Sequence, residues 1–134
     1  MMELVKKEIH MNRQKGSTVS QITLDDDFIV PDTLDDVARI LLDHGEIQIE
    51  TARRQGEKET VQGKLLFRIL YRQEEGGLQA LGGEIPFEEV LNVPGLEEHD
   101  DVQVTWTLED LSTSMIHSRK LNIKAVVTLE AVSY

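Results

Sequence analysis

The run Arg119-Lys-Leu-Asn-Ile-Lys-Ala-Val-Val-Thr-Leu129 constrains the fold more than any other stretch of the chain. Leu121, Ile123, Ala125, Val127 and Leu129 fall on one side, and Lys120, Asn122, Lys124, Val126 and Thr128 on the other. A period of two in β-branched and aliphatic residues makes a strand with one face in a core. The rest of the chain must therefore supply a cover for that face. The opposite row carries Lys120 and Lys124, which predicts pairing with acids on a neighbouring strand.

The remaining segments repeat the pattern. Thr18–Leu24 reads as a strand stopped by Asp25-Asp26-Asp27, and a further strand is expected over residues 3–11. Glu46–Ala52 alternates through Ile47 and Ile49. Glu59–Arg72 places Val61, Leu65, Phe67, Ile69 and Tyr71 on one face, with Leu66 and Leu70 among Lys64, Arg68 and Arg72 on the other. Gly63 interrupts this strand, which points to a bulge or a close approach by another strand. Leu78–Val93 reads as two short strands broken near Gly82-Gly83 and Pro86, and Pro94-Gly95 favours a type II turn. Val102, Val104, Trp106 and Leu108 alternate with polar residues, so Trp106, the only tryptophan, is expected in the core. Leu111–His117 is a weaker strand.

One helix is expected, over roughly residues 33–44. Thr33-x-x-Asp36 resembles a capping box, and Leu34, Val37, Ala38 and Leu41 recur at i, i+3, i+4 and i+7. Gly45 is placed to end it. The fold class is thus mainly β, an antiparallel β-sandwich-like domain with one short α-helix. Ile47-Gln48-Ile49 before Lys64–Arg68 is echoed by Val102-Gln103-Val104 before Lys120–Lys124, through either an internal duplication or two equivalent facing hairpins.

At 134 residues, one domain over 1–134 is the natural count. The chain has no cysteine, which removes disulfides and thiolate metal sites and suits a reducing compartment. No apolar run of membrane-spanning length occurs, and the N-terminus lacks a signal-peptide pattern. Net charge is −11, and the stretch Gln73–Ser118 holds eleven acids and no Lys or Arg. Such a surface disfavours nucleic acid and anionic lipid as partners. It serves either as a solvated face or as a docking site for a basic partner.

Candidate chemistry is sparse. His10, His44, His99 and His117 are not spaced as ligands on one element. Ser112, Ser114 and Ser118 lack a nucleophile elbow, and no phosphate loop occurs. The carboxylate groups Asp25-Asp26-Asp27 and Glu97-Glu98-His99-Asp100-Asp101 suit hard cations, but the ligand order of an EF-hand fails, since Ile29 takes a ligand position. No cofactor, metal or catalytic residue is assigned. Glu97, Glu98, Asp100 and Asp101 stand as the candidate partner-binding loop.

The order of segments is similar to a known family. Glu3–His10, Ser20–Asp32, Gly63–Tyr71, Gly83–Glu89 and Ser118–Leu121 resemble the SPOCS-domain proteins of endospore formers, of the SipL-like spore-coat morphogenetic type. The resemblance implies a non-enzymatic scaffold in the mother-cell cytoplasm at the forming spore surface. It implies protein partners of the coat or envelope, self-association among them, and no membrane insertion. It further implies that this chain is the N-terminal part of a longer protein ending in a LysM domain. The competing expectation is a β domain that binds cell-wall glycan (peptidoglycan), which the low aromatic content of 4% disfavours. A hydrolase would need two carboxylates converging in a pocket.

Overall fold

A computed structural model describes residues 16–134. The strand expected over 3–11 and His10 lie outside them. Six strands follow in order: β1 (Gly16–Ile29), β2 (Val37–Gln55), β3 (Lys58–Gln73), β4 (Leu78–Asn92), β5 (Val102–His117) and β6 (Lys120–Ser133). They form two three-stranded antiparallel sheets, ordered β1-β6-β5 and β2-β3-β4, that pack face to face. The alternating run at 119–129 becomes β6, the centre of the first sheet. Its inner row from Leu121 to Ala131 is buried, as is the inner row of β3 from Val61 to Tyr71. Each central strand is thus the cover the other requires.

The sandwich expectation holds, but the helix does not. Residues 37–44 belong to β2, and no helix occurs among the described residues. The cause is two β-bulges, one between Val37 and Arg39 and one between Ile40 and Leu42. Each adds a residue to β2, so the inward positions become Val37, Ile40 and Asp43, opposite Gln73, Tyr71 and Ile69. A strand bulged twice in succession acquires a spacing of three, which imitates a helix.

Other expectations shift for related reasons. Asp25-Asp26-Asp27 does not stop β1. Asp25 and Asp27 point outward, where Lys124 and Lys120 lie 3.9 and 3.8 Å from them and Asn122 Nδ2 donates to both carboxylates at 2.6 and 2.9 Å. The lysines of β6 therefore pair with acids of the neighbouring strand, as expected. Leu78–Asn92 is one continuous strand, because β4 is an edge and Pro86 needs no ladder donor on that side. Gly82 and Gly83 lie inside it and are not turn residues. Gly83 faces inward, where Phe28 and Phe67 meet edge to face at 4.6 Å between ring centres. Residues 102–117 are likewise one strand, bulged at Glu109.

Trp106 lies on the inner row opposite Leu129, yet 45% of its surface is exposed. It sits on edge strand β5, where the second sheet covers the inner face only in part. Gly63 is a close approach, as anticipated: a Cβ there would lie 2.6 Å from the Gln48 carbonyl oxygen. The β2-β3 and β5-β6 hairpins occupy equivalent places, but the echoed residues do not. Ile47 pairs with Leu65, whereas Val102 and Val104 pair with Ser133 and Ala131.

Candidate interaction surfaces

Three places gather the polar side chains of this sandwich. The first is the connection from β1 to β2, where the chain passes between sheets. Arg119, in the β5–β6 turn, donates from Nη1 to Leu34 O at 3.0 Å and Asp36 Oδ1 at 2.7 Å. Its Nη2 donates to Val30 O at 3.1 Å and Pro31 O at 2.9 Å. Ser118 Oγ donates to Asp36 Oδ2 at 3.1 Å. The backbone adds Val30 N–H to Arg119 O and Val37 N–H to Ser118 O, at 2.9 and 2.8 Å. Arg119 first, and then Ser118, hold the Asp36 carboxyl below its usual range, and Asp36 in turn keeps Arg119 charged. Asp32, Asp35, Glu74 and Glu75 surround the pair. A guanidinium whose donors are taken by the chain itself is a structural clamp. The buried Tyr71 hydroxyl has no hydrogen-bond partner among the described residues, and burial raises its pKa.

The second place is the loop 93–101 between β4 and β5. Gly95, at φ +77°, and the Leu96 N–H to Val93 O bond of 3.3 Å make the expected turn. Asp100 is buried, and its Oδ2 accepts the Glu97 N–H at 2.8 Å. Arg54 donates to the carbonyls of Glu98 and Asp100. Asp101 exchanges backbone bonds with Tyr134 at 2.9 and 3.3 Å. Of the four candidate residues, then, Asp100 organises the loop, while Glu97, Glu98 and Asp101 face solvent. Glu97, His99 and Asp100 bring one ligand atom each within 4.8 Å of one another. These ligands come from four consecutive residues of an exposed turn, a thin coordination set beside the six to eight oxygens calcium takes. Beneath the loop's anchor, Glu59 is buried opposite Arg54, its Oε2 has no hydrogen-bond partner among the described residues, and burial raises its pKa.

The third place escaped sequence reasoning: the outer face of β2-β3-β4. Leu42, Leu70 and Ala80 lie directly across from one another in one row. The row above it is Arg39, Arg72 and Leu78, and the row below is His44, Arg68 and Gly82. Leu42 is 66% exposed and Leu78 is also open to solvent. With no side chain at Gly82, the strip opens into a groove of about 410 Å³ lined by Leu42, His44, Arg68, Leu70 and Ala80. The charges differ in kind from those elsewhere. Arg54, Lys64, Arg119, Lys120 and Lys124 all have carboxylate or carbonyl partners. Arg39, Arg53, Lys58, Arg68 and Arg72 make no ion pair among the described residues, and all five lie on this one face. Leu66 and Leu70 between basic residues were a visible signal in β3. The other half of the strip stayed hidden, because Leu42 read as helix and Ala80 as part of a broken strand.

No described helix is long and apolar enough to cross a membrane. Comparison with curated proteins and with solved structures returns no match. The SipL, SPOCS-domain family model matches residues 36–116, more than half of the chain, spanning β2 to β5. The family's place in spore-coat assembly agrees with an all-β module whose charged side chains build surfaces and clamps. This chain belongs to the SPOCS-domain family.

Proposed function

We propose that the domain is a non-enzymatic protein-interaction module of spore-coat assembly, acting in the mother-cell cytoplasm at the forming spore surface within a longer protein that carries a LysM domain. The observation that carries this reading is the apolar strip Leu42–Leu70–Ala80, bordered by arginines that make no ion pair among the described residues. Exposed apolar area rimmed by unsatisfied charge is the signature of a docking surface, since arginine contributes disproportionately at protein interfaces. The partners are coat or envelope proteins. A glycan platform would need several exposed rings, and among the described residues Trp106 is the one large aromatic that is exposed.

The test is localisation in sporulating cells of a fluorescent fusion to the full-length protein. Leu42→Glu places a charge on the strip at a position already open to solvent. The variant should fold and fail to concentrate at the forming spore. Undiminished localisation of a folded Leu42→Glu protein would overturn the reading.

A further inference from the structure

The charges around the strip define the chemistry of what it receives. We propose that the outer face of β2-β3-β4 binds an extended acidic segment of a partner protein, one that presents an apolar side chain with a carboxylate two residues to either side of it. The inference rests on the docking role just proposed for the groove and adds the kind of partner it takes.

The chain holds 25 Asp and Glu against 14 Lys and Arg, so a cation left without a carboxylate is an exception in it. Two rows of this face consist of such exceptions. Arg39 and Arg72 lie directly across from each other, with Leu78 completing their row. Like charges directly opposite on neighbouring strands destabilise a sheet, and no acid in the row relieves them. Beyond the apolar row lie His44, Arg68 and Gly82, again without an acid. Lower on the same face the chain does supply one, for Lys64 lies 3.4 Å from Glu50 and 3.3 Å from Glu84. Arg39, Arg68 and Arg72 are all exposed and make no ion pair among the described residues. The spacing then defines the ligand. Successive rows on one face are two residues apart, about 7 Å. The arginine rows therefore lie about 7 Å above and below Leu42, Leu70 and Ala80, and in an extended segment the side chains at i−2 and i+2 lie equally far from residue i. In the aligned packing of strands face to face, directions agree within about 30°, so the segment runs along β3 with residue i over Leu70. Its apolar side chain enters the groove that opens beside Gly82, and its carboxylates meet guanidinium forks that pair with them bidentately. Phosphate polymers and anionic bilayers fit worse. Glu46 and Glu84 flank Leu66 in the next row, so a phosphate surface spread over this face meets acids about 7 Å beyond Arg68. The apolar row also gains nothing from phosphate.

The test is an NMR titration of the isotope-labelled full chain with a synthetic peptide blocked at both ends, Ser-Gly-Asp-Thr-Leu-Thr-Asp-Gly-Ser. Amide shifts should gather around Leu42, Leu70 and Ala80, with a Kd between about 10 μM and about 1 mM, as for other small contacts. Added salt should weaken the binding. A peptide of the same composition with its two Asp side by side reaches only one arginine row, and should bind at least about threefold more weakly. Arg68→Glu combined with Arg72→Glu reverses both rows. That protein should lose the acidic peptide by about tenfold or more and take up the peptide carrying Lys at both Asp positions instead. If it does not fold, Arg68→Ser combined with Arg72→Ser should lose the acidic peptide without gaining the basic one. Shifts elsewhere, or none up to about 2 mM peptide, overturn the proposal. So do undiminished binding by either variant and equal affinity for the two acidic peptides. Single-stranded DNA or phosphatidylglycerol vesicles that perturb the same amides at lower concentration than the peptide overturn it too, and assign the face to phosphate. The coat role is separable in cells: localisation lost with Leu42→Glu but kept with Arg68→Glu/Arg72→Glu leaves that role standing and removes the acidic partner. Normal localisation of Leu42→Glu beside peptide binding by the wild type keeps the acidic site and removes the coat role.

Discussion

Gly83→Ala tests how closely the two sheets are fitted. Gly83 lies inside β4 opposite Phe67, and its missing side chain leaves room for the ring of Phe28 from the other sheet. A Cβ at this position would sit 2.7 Å from Phe28 Cε1 and 2.7 Å from Phe67 Cζ. Carbon atoms prefer about 3.5–4.0 Å, so the rings must move by roughly 1 Å. Overpacking of this size costs about 1–3 kcal/mol, and spoiling the ring pair adds to it. Against this, alanine reduces the entropy of the unfolded chain by about 0.4–1 kcal/mol. Taking about 2 kcal/mol for the clash leaves a net loss of about 1 kcal/mol. For a chain of this size that lowers Tm by about 4 °C. Urea denaturation should show a lower midpoint with an unchanged m-value. In a Phe28→Leu background the Phe67 ring can swing into the vacated space, so the same substitution becomes neutral or slightly stabilising. An equal cost in both backgrounds, or a stabilised single variant, would refute the packing argument.

Three more substitutions read two buried polar groups and the Arg119 clamp. Burial raises the Glu59 pKa, so the folded state holds its proton more tightly than the unfolded state. Stability from this group is therefore fully present below the ordinary carboxylate pKa and is lost as pH rises towards the raised one. Glu59→Gln should remove that slope and stabilise the protein by about 1 kcal/mol at pH 7, measured by urea titration at several pH values. Tyr71→Phe removes a buried, unpartnered hydroxyl and should change stability by no more than about 1 kcal/mol, in the favourable direction. A large loss there would mean the hydroxyl has a partner. Arg119→Lys cannot reproduce a fork that reaches four oxygens, and should lower Tm more than removing either Lys120 or Lys124. Asp36 has a depressed pKa, so its part of that stability is present at neutral pH and disappears as pH falls through the depressed value. The Tm difference between wild type and Arg119→Lys should therefore shrink in acid.

The inner rows of β3 and β6 were legible because both are central strands. Burial on one face and solvent on the other leave an unbroken period of two, and Val61–Tyr71 and Leu121–Leu129 show it. The edge strands β2 and β5 carry bulges, and these blurred the signal. The bulges at Ala38 and Leu41 gave β2 a spacing of three, and the one at Glu109 divided β5 into an apparent strand and a weak successor. Trp106 failed for the opposite reason. Its alternation was read correctly, but alternation assigns a face and says nothing about how far the opposing sheet extends. The clamp was half visible. Asp36 read as part of a capping box when the positive charge it answers is Arg119, some 80 residues away in the chain. The groove was invisible because its residues come from three strands, two of which were misassigned.

The span matched by the family model and the span that folds are not the same. Residues 36–116 contain β2 to β5 and omit β1 and β6. Among the described residues β5 is paired only with β6, so within 36–116 it has no ladder partner there, and the inner row of β3 loses the β6 row that covers it. Leu121, Ile123, Val127 and Leu129 are completely buried on β6. At about 1.5–3 kcal/mol each, losing them removes about 6–12 kcal/mol, comparable to the whole net stability of an ordinary domain. The clamp is also lost, since Arg119 and its carbonyl partners Val30, Pro31 and Leu34 all lie outside the matched span. A fragment limited to 36–116 should therefore show no cooperative thermal transition, whereas 16–134 should unfold in one step. A cooperative transition in the shorter fragment would mean that β2-β3-β4 is stable without its cover. The strand on which the alternation was clearest is thus the one without which the matched region cannot fold.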